Sequence, residues 1–320
     1  MIVSEAGCVA KTVPVEMTAK KIHTDQIDTN ELLVRRLLAD QFPRWADLPV
    51  TAIPSSGTEN AIFRLGDEMA VRLPYRPVKD TQLEKLDRWL PRLGPHLPLS
   101  IPKPLARGAP SREYPAAWSI VRWLDGEEAT LERLADPVEA AKKLAAFVRA
   151  LIAIDTTGGP APGTHNFWRG VALGARDEMT RKCIRESEGL VDTEAVMRAW
   201  EHDLGAPVWD GPPTWLHGDL APDNMLLTDG RPSAVIDWGG LGVGDPATEL
   251  LPAWNLFRDA SREAYRQALA FDDATWARGR GLALSTAIVA LPYYNDTIPI
   301  RAKHAKAVIR EVLDDQERES

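Results

Sequence analysis

Residues 215–224 read WLHGDLAPDN, a histidine, two aspartates and an asparagine set among Trp215, two leucines and a proline. The apolar start predicts a short buried strand. The polar remainder predicts a tight loop, because Gly, Pro, Asp and Asn each favour turn conformations. Beyond Asn224 the chain is apolar again at Leu226 and Leu227, turns through Thr228-Asp229-Gly230, and continues as PSAVIDWGGLGVGDPATEL, residues 232–250. Ala234-Val235-Ile236 reads as a second short strand that delivers Asp237 at its end. A tight hairpin brings its two ends together, so His217, Asp219, Asn224 and Asp237 are expected to converge although Asp237 follows Asp219 by 18 positions.

Two aspartates and an asparagine in one place supply what phosphoryl transfer needs. Mg²⁺ is a hard ion that takes oxygen ligands, which suits Asn224 and Asp237. Asp219 is then left as an uncoordinated carboxylate that can orient and deprotonate an attacking hydroxyl. His217 reads as a scaffold for the loop, since Asp219 already fills the role of base. Either motif alone has a bland reading as a turn; their joint occurrence across a hairpin carries the assignment.

HGDLAPDN is similar to the kinase catalytic-loop pattern H-R-D-L-x-x-x-N, with Gly218 in place of Arg, and IDWG resembles D-F-G with Trp238 in place of Phe. Both departures are shared by the aminoglycoside phosphotransferase family. GVGDPATEL resembles that family's next segment, with Glu249 where an aspartate is usual. The resemblance covers about residues 50–255, and it implies a two-lobe protein-kinase-like α+β fold, with a small antiparallel-sheet N-lobe and a larger, mainly helical C-lobe. Within it, SSGTENAIFRLGDEMAVRLP (55–74) resembles the nucleotide loop and following strands. Ser55, Ser56, Thr58 and Asn60 would form a polar turn over the phosphates, and Arg72 stands at the position of the strand lysine. Glu84 is its expected partner on the next helix. SIVRWLDGEEA (119–129) resembles the inter-lobe linker, where backbone groups of Trp123 and Leu124 would meet the base. Gly239 and Asp245 are expected to support the metal segment.

The rest of the chain fits this frame. Asp28-Thr29-Asn30-Glu31 predicts a capping box ahead of an amphipathic helix carrying Leu33, Leu37 and Leu38. VTAIPS, NAIFRLGD and MAVRLP predict strands, with a hairpin turn at Gly66-Asp67. Leucines 83, 86, 90 and 93 recur at helical spacing. A further helix follows Ala141 to Ile152, and segments 173–204, 261–270 and 274–291 are expected to be helical. The expected units are 1–121, an N-terminal helix plus nucleotide-binding lobe; 122–126, the linker; and 127–320, the catalytic and substrate-binding lobe.

A net charge of −8 over 320 residues argues against a nucleic-acid partner. Cys8 and Cys183 lie far apart, so neither a disulfide framework nor a zinc site is indicated. With no signal-like or membrane-length apolar run, a cytoplasmic protein without a membrane partner is expected. The implied activity is transfer of a γ-phosphoryl group from ATP or GTP, with Mg²⁺, to a hydroxyl of a small molecule. The acidic balance favours a cationic acceptor such as an aminoglycoside-type antibiotic, with Asp177, Glu178, Trp254 and Asp296 as candidate contacts. The alternatives are a metabolic small-molecule kinase of the same fold and a catalytically silent nucleotide binder.

Overall fold

The computed structural model describes residues 26–54, 59–77 and 80–319. Ser55, Ser56 and Thr58 of the expected phosphate turn, and Cys8, lie outside the described residues. Helix α1 (Glu31–Gln41) precedes a five-stranded antiparallel sheet of order β1-β2-β3-β5-β4, built from β1 (Val50–Ile53), β2 (Asn60–Leu65), β3 (Met69–Pro74), β4 (Pro104–Gly108) and β5 (Trp118–Arg122). Helix α2 (Asp80–Leu93) lies between β3 and β4. The cap of α1 differs from expectation. Asn30, not Asp28, accepts the Leu33 amide (2.8 Å), and the Glu31 carboxylate turns to the Ala52 amide (3.0 Å). Asn30 has the extended backbone that lets a side-chain oxygen fold back onto the first turn.

Period-two alternation sorts the sheet's two faces. Phe63, Val71 and Ile120 stand opposite one another across β2, β3 and β5, and they join Leu33, Val34, Leu37, Leu38 and Trp118 in one buried cluster. Their neighbours Ile62, Arg72 and Ser119 are likewise in register and so face the other way, toward the rest of the molecule. The hairpin turn falls at Gly66 as expected, with φ of +55°.

The second part begins with the short β6 (Glu127–Glu128) and α3 (Pro137–Ile152), then α4 (Asp177–Glu186) and α5 (Thr193–Leu204). The expected helical stretch 173–204 is therefore broken, with Gly189 at φ +77° in the turn between α4 and α5. There follow β7 (Thr214–Leu216), β8 (Met225–Thr228), β9 (Arg231–Val235) and β10 (Gly242–Gly244). Helices α6 (Pro252–Asn255), α7 (Asp259–Leu269), α8 (Asp273–Asn295) and α9 (Pro299–Glu319) complete the chain. Residues Leu86, Trp89, Leu90 and Leu93 of α2 belong to the core of this second part, where Trp89 meets Trp215 at 4.7 Å between ring centroids. No helix among the described residues is long and apolar enough to cross a membrane.

A buried ionic network pins α5, α8 and α9. Arg280 holds Asp203 through Nε (3.2 Å) and Nη2 (2.8 Å), both side chains being essentially inaccessible, and reaches Asp315 at 3.4 Å. Asp315 also takes Arg262 (3.4 Å) and the Trp254 indole N–H (3.1 Å). Trp254 is fully buried against Trp276, so the expectation that it contacts substrate is corrected: its ring fills the core and its one polar atom is spent. Breaking a buried pair strands a charge in low dielectric. Asp203→Ala should therefore lower unfolding free energy by about 3–5 kcal/mol in urea titrations, with nucleotide affinity retained.

Candidate active site

Strand β7 pairs with β10, Leu216 opposite Gly242 and Trp215 opposite Val243, while β8 and β9 form the hairpin foreseen around Gly230. The two units are locked together at their ends. Gly218 has φ +84°, and a Cβ there would stand 2.5 Å from the Gly240 carbonyl oxygen; a Cβ on Gly240 would stand 2.8 Å from the His217 carbonyl. Only glycine fits such a backbone crossing, which gives the physical reason for Gly218 where kinases carry arginine.

His217 is fully buried between these segments. Its Nε2 lies 2.9 Å from the Ile236 carbonyl and its Nδ1 accepts the Asp219 amide at 3.2 Å. Burial holds its pKa below the usual histidine value, so the neutral ring with the proton on Nε2 satisfies both bonds. The asparagine is tied in the same way. Asn224 Nδ2 donates to the Asp219 carbonyl (2.9 Å), and the Asn224 carbonyl accepts the Ile236 amide (2.9 Å). With its nitrogen committed to the loop, Asn224 presents its side-chain oxygen elsewhere. Asp237 follows in the left-handed region, φ +59°, a conformation that Asp tolerates better than most residues. Asp219, Asn224 and Asp237 are thus brought to one place by backbone bonds.

Beneath the loop, fully buried Glu249 accepts the Gly218 amide through Oε1 (2.9 Å), while Oε2 has no partner among the described residues. Burial pushes its pKa up to about 7, against the lowering effect of the Gly218 and His217 amides. Asp245 is also buried. It grips Arg278 at 2.7 and 3.3 Å and caps the turn at the Ala247 amide (2.9 Å). Gly239 leaves room for a Cβ, and its carbonyl accepts a hydrogen bond from Lys85.

The expected Arg72–Glu84 pair does not form. Arg72 reaches Asp237 Oδ1 at 3.3 Å, whereas Glu84 points to Arg107 on β4 (3.3 Å). The neighbouring Lys85 takes the inward position on α2, since adjacent residues lie about 100° apart around a helix. Its ammonium donates to the carbonyls of His165, Gly239 and Leu241, each at 3.0 Å, and burial lowers its pKa to about 8. Helix α2 is therefore fastened to the Asp237 segment through backbone oxygens. Asn60 opens β2 opposite Pro74. The Trp123 amide is spent on the Glu68 carbonyl (2.8 Å) and its indole on Asp125 (2.7 Å), which removes that amide as a donor to a base; the Leu124 backbone makes no hydrogen bond among the described residues.

On the other side of Asp219 stands a residue that sequence reasoning did not single out. Arg169 Nη2 is 3.2 Å from Asp219 Oδ1, and its Nη1 is 3.4 Å from Thr286 of α8. Arg169 sits in HNFWRG, residues 165–170, and nothing local ties it to a residue 50 positions away. The candidate acceptor contacts do not gather here. Asp177 is held by Arg181 (2.8 Å) and the Trp200 indole (2.7 Å), Glu178 is exposed on α4, and Asp296 is exposed at the end of α8, bonded to Asn295. Farther along, Arg301 reaches Asp223 of the loop at 3.4 Å.

Comparison with known proteins agrees with this architecture. No curated protein matches the chain in sequence at a significant level. Among solved structures, the GDP and kanamycin complex of APH(2″)-IIIa superposes with a TM-score of 0.70 at 17% identity, covering 89% of this chain and 99% of that one. The apoenzyme of macrolide 2′-phosphotransferase MphH from Brachybacterium faecium gives 0.58 at 21% identity, covering 86% and 97%. The sheet-bearing first part and helical second part therefore form the two-lobe kinase-like α+β fold of these structures. The profile of the phosphotransferase enzyme family, APH, matches residues 50–282, and the chain belongs to that family.

Proposed function

We propose that this protein transfers the γ-phosphoryl group of ATP or GTP to a hydroxyl of a small molecule. The observation that carries the reading is the backbone-enforced convergence of Asp219, Asn224 and Asp237, three oxygen-bearing side chains of which Asn224 has its nitrogen already engaged. The side chain of Asp219 is 46% exposed, so its carboxylate can meet an acceptor. It takes the hydroxyl proton as the alcohol oxygen attacks the γ-phosphorus, and the bond to the bridging oxygen breaks with its electron pair leaving on the nucleoside diphosphate.

Asn224 and Asp237 offer the hard oxygen donors that suit Mg²⁺, which needs one or two protein ligands alongside substrate phosphates. When bound, such an ion neutralises charge developing on the phosphate oxygens. Arg72, on the face of the sheet turned toward Asp237, places a permanent cation beside the same segment. The nucleotide would lie at the seam around residues 122–126, with Leu124 the backbone group left for the base.

Two acceptor classes stay in view. The aminoglycoside and macrolide enzymes of similar fold and the net charge of −8 support an antibiotic-type cationic acceptor. The arginine on Asp219 and the dispersal of the expected carboxylates favour the metabolic-kinase alternative. A coupled nucleotide-turnover screen with ATP and GTP, against cationic antibiotics and hydroxylated metabolites, tests the reading. No acceptor-dependent turnover in any pairing would leave a nucleotide binder without catalysis.

Asp219→Asn should cut kcat by about 10²–10⁴-fold with nucleotide affinity nearly unchanged, as measured by turnover and equilibrium nucleotide binding. Arg72→Ala should raise the nucleotide KM and lower kcat. Arg72→Lys should recover part of both, because charge survives while the guanidinium fork does not. Glu249 yields a pH prediction. Its folded pKa is raised, to about 7, so the folded state binds more protons than the unfolded state from the ordinary carboxylate range up to 7. Stability contributed by this group is thus lost as pH rises through that window and is constant above it. In melts at successive pH values, wild type should lose stability relative to Glu249→Gln between pH 5 and 7 and run parallel to it above pH 8; parallel curves throughout would place the titration elsewhere.

A further inference from the structure

The acceptor side of Asp219 carries more positive charge than the described side chains neutralise. Arg169 shares Asp219, which the reaction requires as a base, and its buried Nε has no partner. Arg176 donates from Nε to the Ser285 hydroxyl of α8 at 2.8 Å, one residue before the Thr286 that Arg169 reaches, and makes no ion pair among the described residues. Burial and the like charge of Arg169 lower the Arg176 pKa to about 10, which still leaves it cationic at neutral pH. The Glu249 carboxylate also interacts electrostatically with Arg169, but it is spent on the Gly218 amide, and burial pushes its pKa up to about 7. Arg169 thus has Asp219 as its bonded carboxylate, and Arg176, near enough to Arg169 for the two charges to interact, is bonded to a hydroxyl and to no carboxylate among the described residues. A buried charge without a counter-charge is costly, and a charge that the protein leaves unmatched is available to a ligand.

The local backbone is built around this arrangement. Phe167 and Trp168 are consecutive residues in the left-handed region, φ +55° and +57°, although both are bulky and more than half exposed. Fully buried Asn166 holds the turn, accepting the Gly163 amide (2.9 Å) and donating to the Arg169 carbonyl (3.1 Å). Such strain persists where the surroundings over-determine it, and its effect here is to bring the Arg169 guanidinium to the catalytic loop. The Ser285 hydroxyl is fixed in turn by Thr180 at 2.7 Å, and Thr180 is anchored on the Arg176 carbonyl (2.8 Å).

We propose that Arg169 and Arg176 form an anion-binding subsite beside Asp219, and that the acceptor is an alcohol carrying a carboxylate or phosphate group. Paired guanidiniums offer planar forks matched to either group. An anion seated there is held close to the base, so its hydroxyl is positioned for attack. The assignment names the acceptor class of the proposed phosphotransfer and rests on that reading.

The test has a binding arm and a turnover arm. Calorimetry follows glycerate and glucose 6-phosphate, with glycerol, glucose and kanamycin as neutral and cationic counterparts, against wild type, Arg169→Gln, Arg176→Gln and Arg176→Lys. Thermal melting and nucleotide affinity show that each variant is folded. At least one anionic probe should bind wild type, with tenfold or greater weakening in both Gln variants and partial recovery in Arg176→Lys, while nucleotide affinity is unchanged. In turnover the same anionic alcohol should exceed its neutral counterpart in kcat/KM by tenfold or more, an advantage carried by KM and lost in the Gln variants. A carboxylate-only or a phosphate-only response identifies which anion the subsite takes. Arginine-dependent binding without turnover would keep the subsite and sink the phosphotransfer reading. Absence of anion binding to wild type, binding indifferent to both substitutions, or turnover with kanamycin above every anionic alcohol would overturn the proposal. Should Arg176→Gln fail to fold, Arg169→Gln and Arg176→Lys decide the outcome.

Discussion

The backbone crossing of Gly218 against Gly240 is the constraint on which the site depends. The Gly240 carbonyl occupies the space that any side chain at position 218 would need, and the reverse holds for the His217 carbonyl at position 240. Contact at this range sets the loop bearing Asp219 against the segment bearing Asp237. His217 and Asn224 then fix orientation from both sides, each bonding to Ile236. Asp219, Asn224 and Asp237 are thus oriented through main-chain hydrogen bonds, and catalysis by positioning, in the proposed reading, requires such stiffness.

The coupling between lobes follows a different solution from an acid–base pair. Lys85 reaches three backbone carbonyls around the Asp237 segment, so α2 is tied to the main chain there, not to the strand cation. Arg72 is left to face Asp237 directly. The apolar side of α2 enters the core of the helical part, through Leu86, Trp89 and Leu90, and this packing sets which face of the helix turns inward. Residue 85 therefore arrives where residue 84 was expected. A one-residue difference around a helix is enough to exchange a carboxylate for an ammonium.

Net charge and local charge point in opposite directions. The carboxylates that make the chain acidic are in large part exposed or committed, as with Asp177 on Arg181 and Asp315 among Arg262 and Arg280. Exposed charges are screened within about 10 Å at ordinary salt, whereas half-buried arginines act in a lower dielectric and at contact distance. The charge in contact with Asp219 is accordingly that of Arg169, not the sum over the surface.

How far the sequence reaches can be judged element by element. The hairpin from Met225 to Val235, the loop before it and the Asp237 turn were legible because each rests on local chemistry: apolar strands, turn-forming residues and glycines at fixed offsets. The sheet from β1 to β3 and the helices on either side were legible from periodicity. Trp254 was misread because an indole buried on Asp315 and one lining a cleft look alike in one dimension. The Arg72 partner was misread because rotation of α2 is decided by what packs beneath it. Arg169 and Arg176 carried no local signal, since their relation to Asp219 and Ser285 spans 50 and 109 positions. The sequence by itself determined the convergence of the trio Asp219, Asn224 and Asp237 and the two-lobe plan, since short-range patterns encode both. Only the tertiary structure decided which charges surround the trio, because burial and long-range contact, not residue type, determine whether a charge is spent or available.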